Sequence, residues 1–360
     1  MSIDSPVRPS APQPSMADSI MAPHLPRWAP RTTVGISAVI GLFFYFVVGF
    51  NMFAAIAIAW VLAIVVLPIW SLNVEGKRKA TDRMFANLVT STFGVALIPL
   101  ISIMFKVISE GWPALSSEFL TYSMRNVVGE GGGIYHAIVG TLLMTLGAAV
   151  ISIPIGLFTS IYLVEYGKGN RLSRWITLLV DVMTGIPSIV AGLFAYSVFS
   201  LLFGPGIRMG IGGSVALSVL MIPVVVRSTE EMLKLVPNEL REAAYALGVP
   251  KWRTILKVVL PTSIAGIVTG VTLSIARVIG ETAPLLVIAG YTASVNFNLF
   301  DGRMASLPVF AFSQATQPGA FPEAANERAW GAALVLMIIV MILNLIARLI
   351  SYVFSPKGER

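Results

Sequence analysis

The sequence predicts an all-α membrane protein, a polytopic bundle of about eight transmembrane helices, and three observations lead to that fold class. Hydrophobic residues make up 56% of the 360-residue chain, charged residues only 12%, and the mean hydropathy is +0.82. The apolar residues form separate runs of about 18 to 28, and about 20 helical residues cross the hydrocarbon core of a bilayer. The basic residues cluster at the ends of these runs, where they orient membrane proteins.

The predicted order begins with a disordered cytoplasmic tail, residues 1–31, which contains seven prolines and cannot bury a core. Residues 32–72 form a tight transmembrane hairpin, and residues 85–356 form the main membrane domain. The eight predicted spans are Thr33–Phe50, Phe53–Trp70, Leu88–Ile108, Ile134–Leu163, Ile176–Phe203, Gly212–Val226, Ile264–Ile288 and Trp330–Phe354.

The net charge of +7 and the pI near 9.7 are typical of topology signals here rather than of nucleic-acid binding. If eight spans alternate, the loops on one side hold most of the Lys and Arg residues, including Lys77, Arg78, Lys79 and Arg83. The opposite loops hold far fewer, among them Arg125, Arg208 and Arg303. The positive-inside rule therefore predicts that both termini lie in the cytoplasm.

Several kinds of chemistry are excluded by residue content. The chain has no cysteine, and its two histidines, His24 and His136, are far apart, so thiol chemistry and a metal site are not expected. No GxxxxGK[ST] string occurs, so the chain carries no Walker-type nucleotide site. No serine–histidine or paired-carboxylate constellation suggests an enzyme. We expect a non-catalytic protein without a cofactor of its own.

Between the sixth and seventh spans, residues 227–261 are too polar to cross the membrane but are patterned as helices. Apolar and small residues recur at helical spacing up to Gly248, and Pro250 then separates a second short helix, Trp252–Leu260. The string Glu242-Ala243-Ala244, then Gly248, then Leu260-Pro261 resembles the EAA loop of ABC importer permeases. Val258 stands where isoleucine is usual. The alternative is an interfacial amphipathic helix without a partner.

This resemblance implies a role for the loop and a set of partners. In ABC importers the loop is a coupling helix that docks on a separate ATP-binding subunit, which binds ATP and magnesium. The residues that match are Glu242, Ala243, Ala244, Gly248, Leu260 and Pro261. The family also implies a homologous permease subunit, a dimer of ATP-binding subunits and an extracytoplasmic binding protein.

The seventh span contains Arg277 and Glu281, and each costs roughly 2.5–3.5 kcal/mol near a helix centre, so neither should face lipid. At i and i+4 they are predicted to share one helical face and to neutralise each other inside the bundle. An arginine fork suits a tetrahedral oxyanion, and Pro284 favours a bend nearby. The alternative is a structural ion pair that locks two helices.

The string ARVIGETAPLL, together with GIPSIVAG at residues 185–192 and LVEYGKG at residues 163–169, resembles the A-type permease of phosphate importers. That resemblance covers about residues 85–354 and implies that Arg277 and Glu281 lie on the phosphate path in the cytoplasmic (inner) membrane of a prokaryote. Permeases for sulfate or molybdate share the EAA loop and remain open. A self-sufficient proton-coupled transporter would show internal repeats, and none is evident.

Three further features have a predicted position: Asp181, His136 and an outer segment before the eighth span. Asp181 is predicted to cap or pair near Arg174, and His136 to be an interfacial residue. The outer segment Tyr291–Arg328, with its apolar string SLPVFAF, is predicted to lie in the membrane interface as a short re-entrant or amphipathic piece.

Overall fold

The computed structural model describes residues 24–26, 28–49 and 51–354. The predicted disordered tail lies outside the described residues except for residues 24–26 and 28–31. Fourteen α-helices occur in the described ranges: α1 (Ala29–Phe46), α2 (Met52–Val74), α3 (Lys77–Gly111), α4 (Ser117–Thr121), α5 (Tyr135–Ile161), α6 (Arg171–Thr184), α7 (Ser188–Phe203), α8 (Gly210–Lys234), α9 (Asn238–Ala246), α10 (Lys251–Thr254), α11 (Leu260–Val278), α12 (Ala283–Ile288), α13 (Leu307–Thr316) and α14 (Pro322–Phe354).

Two of these helices continue without a break through a π-helical stretch. Tyr162–Tyr166 extends α5, and Ile255–Val259 joins α10 to α11. The predicted separate helix Trp252–Leu260 is therefore wrong, because Lys251–Val278 forms one continuous helical run.

Seven helices are long and apolar enough to cross a membrane, and an eighth span results if α6 and α7 count as one. The all-helical membrane bundle is thus confirmed. The prediction that the fifth span is one continuous helix is wrong, because the helix axis bends by 108° between α6 and α7. Pro187 caps the start of α7, and proline cannot continue a helix without losing a hydrogen bond.

The basic residues after the hairpin also differ from the prediction. Lys77 to Arg83 were expected in a loop, but α3 begins at Lys77 and runs for 35 residues. A helix of that length measures about 52 Å, which exceeds the thickness of a hydrocarbon core. The first turns of α3 therefore extend beyond the apolar segment that starts at Leu88.

The described part of the chain divides into two compact units, and the boundary between them, Met104–Phe105, lies inside α3. In the first unit, α1 and α2 form the predicted hairpin. Glu75 follows α2 and accepts hydrogen bonds from Arg83 Nε at 2.6 Å and from Ser71 Oγ at 2.7 Å. These bonds lower the pKa of Glu75 to about 2, so the carboxylate stays charged.

The second unit is built around the contact between α5 and α8. Small residues let the two helices approach, since a Cβ placed on Gly156 would lie 2.5 Å from Val225 Cγ1. Ser160 Oγ donates to Val226 O at 2.9 Å, and Ser214 Oγ donates to Met144 O at 3.0 Å. Close packing of small residues and interhelical hydrogen bonds are how membrane helices associate, because lipid supplies no hydrophobic drive between them.

The string SLPVFAF lies in a short helix that buries one face, whereas Phe312 of the same string is 45% exposed. This helix is α13, whose Leu307, Val309 and Phe310 are fully buried. Thr141 of α5 accepts a hydrogen bond from Leu307 N at 2.8 Å, which fixes the start of α13. His136 is also buried rather than interfacial, and its ring lies 5.5 Å from that of Phe310.

Candidate functional site

The seventh predicted span is broken at the residues that were expected to pair. Helix α11 ends at Val278, and α12 begins only at Ala283. Arg277 therefore lies in the last turn of α11, whereas Glu281 lies in the non-helical connection. The prediction that both share one helical face is wrong. Gly280 and Pro284 explain the break, because glycine is a poor helix former and proline fits a first helical turn.

No hydrogen bond or ion pair joins the side chains of Arg277 and Glu281 anywhere in the described residues. Arg277 is exposed on the single chain and Glu281 is half-buried. A charged side chain at membrane depth faces a protein partner or a water-filled cavity, and irregular backbone there is tolerated under the same condition. The broken connection 279–282 is thus a candidate lining for a polar path.

Helix α7 holds this connection in place through the second resembling string. A Cβ placed on Gly192 would lie 2.5 Å from Pro284 Cα and 3.1 Å from Pro284 O, so the two backbones touch. Gly192 belongs to GIPSIVAG and Pro284 to GETAPLL. Two strings about 100 residues apart in the chain therefore meet at the start of α12, directly after Glu281.

Gly192→Ala is expected to impair transport strongly, because its Cβ would collide with backbone and push α12 away from α7. The measurement is substrate uptake by the reconstituted transporter, with purification yield as a check on assembly. Gly185→Ala is the matched control, since a Cβ there would meet only Val182 O at 3.6 Å and the residue has negative φ. Equal uptake by both variants would show that transport does not depend on the close contact between α7 and α12.

The segment 227–261, which resembles the EAA loop and was predicted to be the coupling segment, contains the short helix α9, followed by a turn at Gly248. Glu242 and Ala243 are exposed on α9, whereas Ala244 is buried. Gly248 has φ of +76°, in the left-handed region that favours glycine. Beside it, Leu247 is 84% exposed. Glu242, Ala243 and Gly248 thus lie together on a surface that the described chain leaves uncovered.

The structure does not bring Leu260 and Pro261 to that surface. Both lie at the start of α11, beyond the π-helical stretch. Leu260 packs against the buried cluster that contains Leu233, Val236 and Val259. Leu260 therefore supports the segment through this packing, whereas Pro261 is exposed.

Asp181 pairs with a different arginine from the one predicted. Its carboxylate contacts Arg227 of α8, and Arg227 Nη1 also donates to Glu230 Oε2 at 3.0 Å. The α6–α7 bend turns α6 toward α8, which places Asp181 beside Arg227 instead of Arg174. The expectation of a structural pair stands, but its partner was wrong.

Sequence reasoning also missed a buried ion pair. Glu165, in the π-helical end of α5, accepts hydrogen bonds from Arg241 of α9 at 2.9 and 3.0 Å. Glu165 belongs to the string LVEYGKG, and Arg241 lies directly before Glu242 in the segment 227–261. Nothing in the sequence indicates the pairing, because the two residues are 76 positions apart.

A second missed feature involves the arginines of the opposite loops. Arg208 and Arg303 both lie against Gly290, with Arg208 Cδ 2.9 Å and Arg303 Cδ 3.5 Å from the position of a Cβ on that glycine. The residues that follow them are buried, and Met209 N and Met304 N donate to the carbonyls of Ile288 and Ala289. Both arginines are exposed, and neither forms an ion pair within the described ranges.

Comparisons with known proteins bear on this arrangement. Residues 152–359 match a family model described as the binding-protein-dependent transport system inner membrane component. A phosphate transport system permease protein PstA 1 from Mycobacterium tuberculosis (strain ATCC 25618 / H37Rv) is 49% identical over 284 residues, which cover 78% of this chain and 91% of the relative. PstA from Pasteurella multocida (strain Pm70) is 40% identical over 283 residues, which cover 79% and 97%.

Solved structures agree at the level of the fold. An inward-facing MetNI methionine ABC transporter matches with a TM-score of 0.50 and 20% identity, covering 67% of this chain and 100% of that one. A bacterial alginate ABC transporter matches with a TM-score of 0.50 and 14% identity, covering 75% and 96%. Both likenesses place the helical bundle among ABC importer permease folds. The identities to curated permeases, which extend over most of their lengths, show that the chain belongs to the PstA family of phosphate transport system permeases.

Proposed function

We propose that this chain is a membrane-spanning subunit of an ATP-driven phosphate importer and lines the path of inorganic phosphate. The observation that carries the proposal is the break between α11 and α12, which leaves Arg277 without a carboxylate partner in the described chain. An unpaired guanidinium offers a fork of donors that matches the oxygens of a tetrahedral anion. Glu281, next along the connection, would repel the anion and favour its release.

The two ends of α8 give the importer a direction. Arg208 precedes α8, and α9 follows it after a short turn. With 25 residues, α8 spans about 37 Å, enough to cross a membrane. If α9 faces the cytoplasm, the arginines beside Gly290 face the outside, where paired positive charge would attract phosphate. Both chain termini then lie on the cytoplasmic side, and the protein spans the inner membrane of a bacterium.

The partners follow from the uncovered surfaces. We infer that Glu242, Ala243 and Gly248 dock on one of two copies of an ATPase, which binds ATP and magnesium. Arg277 and the connection 279–282 would face a homologous permease subunit, so that the path lies between two spanning subunits. An extracytoplasmic binding protein would deliver phosphate. This chain would supply no catalytic group.

The test is ATP-dependent uptake of radiolabelled phosphate by the complete complex in proteoliposomes, with excess sulfate or molybdate as competitor. Uptake that needs ATP and resists both competitors is expected. Competition by sulfate at an equal concentration would assign the path to oxyanions in general. Uptake without the ATPase would instead indicate a secondary transporter and overturn the proposal.

A further inference from the structure

Glu165 contacts both sides of the turn in the coupling segment. Its carboxylate oxygen Oε1 accepts from Arg241 Nε at 3.0 Å and from Arg241 Nη2 at 2.9 Å. Its backbone carbonyl accepts from Lys251 Nζ. Arg241 precedes Gly248 in the chain and Lys251 follows it. One residue of α5 therefore holds the two segments that meet at Gly248.

The ion pair between Glu165 and Arg241 is buried inside the protein and is not a surface contact. The side chain of Glu165 is 4% exposed and that of Arg241 is 9% exposed. The remaining donors of Arg241 are also used, because Nη1 donates to Val236 O at 2.6 Å and Nη2 to Leu233 O at 2.9 Å. A buried ion pair is retained at a desolvation cost, and the best-attested reason is that it fixes one arrangement of the elements it joins.

Lys251 makes a second set of contacts with the π-helical end of α5. Besides its bond to Glu165 O, its ammonium lies 4.8 Å from the centroid of the Tyr166 ring. Lys251 begins the helical run that continues without interruption into α11 and ends next to Arg277. Residues 165–166 thus join three elements: α9, the run that contains α11, and α5.

The helix that carries Glu165 is itself part of the bundle core. Helix α5 packs against α8 through Ser160 and Gly156, and its π-helical end packs Val164 against Leu233 and Val259. A π-helical turn has weaker backbone restraint than an α-helix and often marks a functional position. A displacement of α9 would therefore be passed to α5 as well as to α11.

We infer that Glu165 is a positioning residue that couples the ATPase-docking segment to α5, so that movement of α9 shifts α5 and α11 together. The inference rests on the proposed function, since it assigns docking of the ATPase to α9. It makes the glutamate of the LVEYGKG string a determinant of how efficiently hydrolysis drives transport. Glu165 contacts neither phosphate nor nucleotide in this scheme.

The test compares wild type with Glu165→Gln in the complete reconstituted complex and measures phosphate taken up per ATP hydrolysed. Glutamine keeps the shape and one acceptor but removes the charge that faces Arg241. We expect the uptake-to-hydrolysis ratio to fall about tenfold or more, while the ATPase still co-purifies with the permease. A purely structural role would lower the yield of complex and leave this ratio unchanged.

Two further variants keep the test decisive. Glu231→Gln is the matched control. Glu231 is an exposed carboxylate near the C-terminal end of α8, and it forms no ion pair in the described chain. The uptake-to-hydrolysis ratio of this variant should equal that of wild type. Lys251→Met removes the contacts of the ammonium with Glu165 O and with the Tyr166 ring, and it should lower the uptake-to-hydrolysis ratio by a smaller factor. If Glu165→Gln fails to assemble, Lys251→Met decides: an unchanged ratio there overturns the inference.

Failure of the inference is distinguishable from failure of the proposed function. If the chain carries another anion, wild-type complex takes up no phosphate, although ATP hydrolysis continues. If only the inference fails, wild type transports phosphate and Glu165→Gln transports it with the same ratio.

Discussion

Arg277→Gln is expected to abolish phosphate uptake while leaving the assembled complex intact. Glutamine cannot supply the charge or the bidentate fork, and each hydrogen bond to a charged group contributes about 1.5–3 kcal/mol. Loss of two such bonds predicts a fall in transport of roughly a hundredfold or more. Because Arg277 is exposed on the chain and holds no partner among the described residues, the fold should tolerate the change. The measurement is initial uptake by proteoliposomes.

Two variants make this result interpretable. Arg277→Lys keeps the charge but presents a point donor, so partial uptake is expected. Arg125→Gln alters an exposed arginine in another loop and should transport as wild type does. Normal uptake by Arg277→Gln would show that the arginine serves helix packing and does not bind the anion.

Gly248→Val is expected to uncouple transport from ATP hydrolysis. The residue has φ of +76°, and a β-branched side chain there is a conformational outlier that costs about 1–2 kcal/mol or more. No atom lies within 4 Å of the position of a Cβ, so the cost comes from backbone conformation and not from a collision. The turn would relax, and Glu242 and Ala243 would leave their positions for docking. Co-purification of the ATPase and phosphate uptake measure the effect.

Gly248→Asn is the matched control for that variant. Asparagine tolerates the left-handed region far better than valine, so it should retain most of the transport despite its larger size compared with glycine. Equal loss in both variants would mean that the docking surface rejects any side chain at this position. Equal activity in both would show that the turn does not need its observed conformation.

The sequence predicted the class of fold correctly for a definite reason. Apolar runs long enough to cross a bilayer identify spanning helices almost regardless of tertiary context, because every backbone polar group in lipid must be bonded within its own helix. The two N-terminal helices α1 and α2 and the turn at Gly248 follow from such local rules. The PstA family assignment rests on strings such as GETAPLL, and the identities to relatives confirm it.

Predictions about helix continuity failed in two apolar runs that contain proline, although other prolines, Pro68, Pro99, Pro154 and Pro223, lie inside unbroken helices. The run Ile176–Phe203 was predicted as one span, yet α6 and α7 meet at 108° beside Pro187. The run Ile264–Ile288 was also predicted as continuous, but it is interrupted between Val278 and Ala283. Composition alone gives the length of an apolar segment. It does not show whether neighbouring helices supply hydrogen-bond partners for the backbone groups that a helix break leaves free.

By itself, the sequence determined which residues can cross the membrane, which segment resembles the EAA loop, and that Arg277 and Glu281 need a polar environment. Only the tertiary structure decided that these two do not pair, that Gly192 touches Pro284, and that Glu165 binds Arg241. Arg277 and Glu281 are separated by the break between α11 and α12. The other two contacts join residues 76 or more positions apart, and such contacts depend on how the whole bundle packs, whereas local rules act over a few residues.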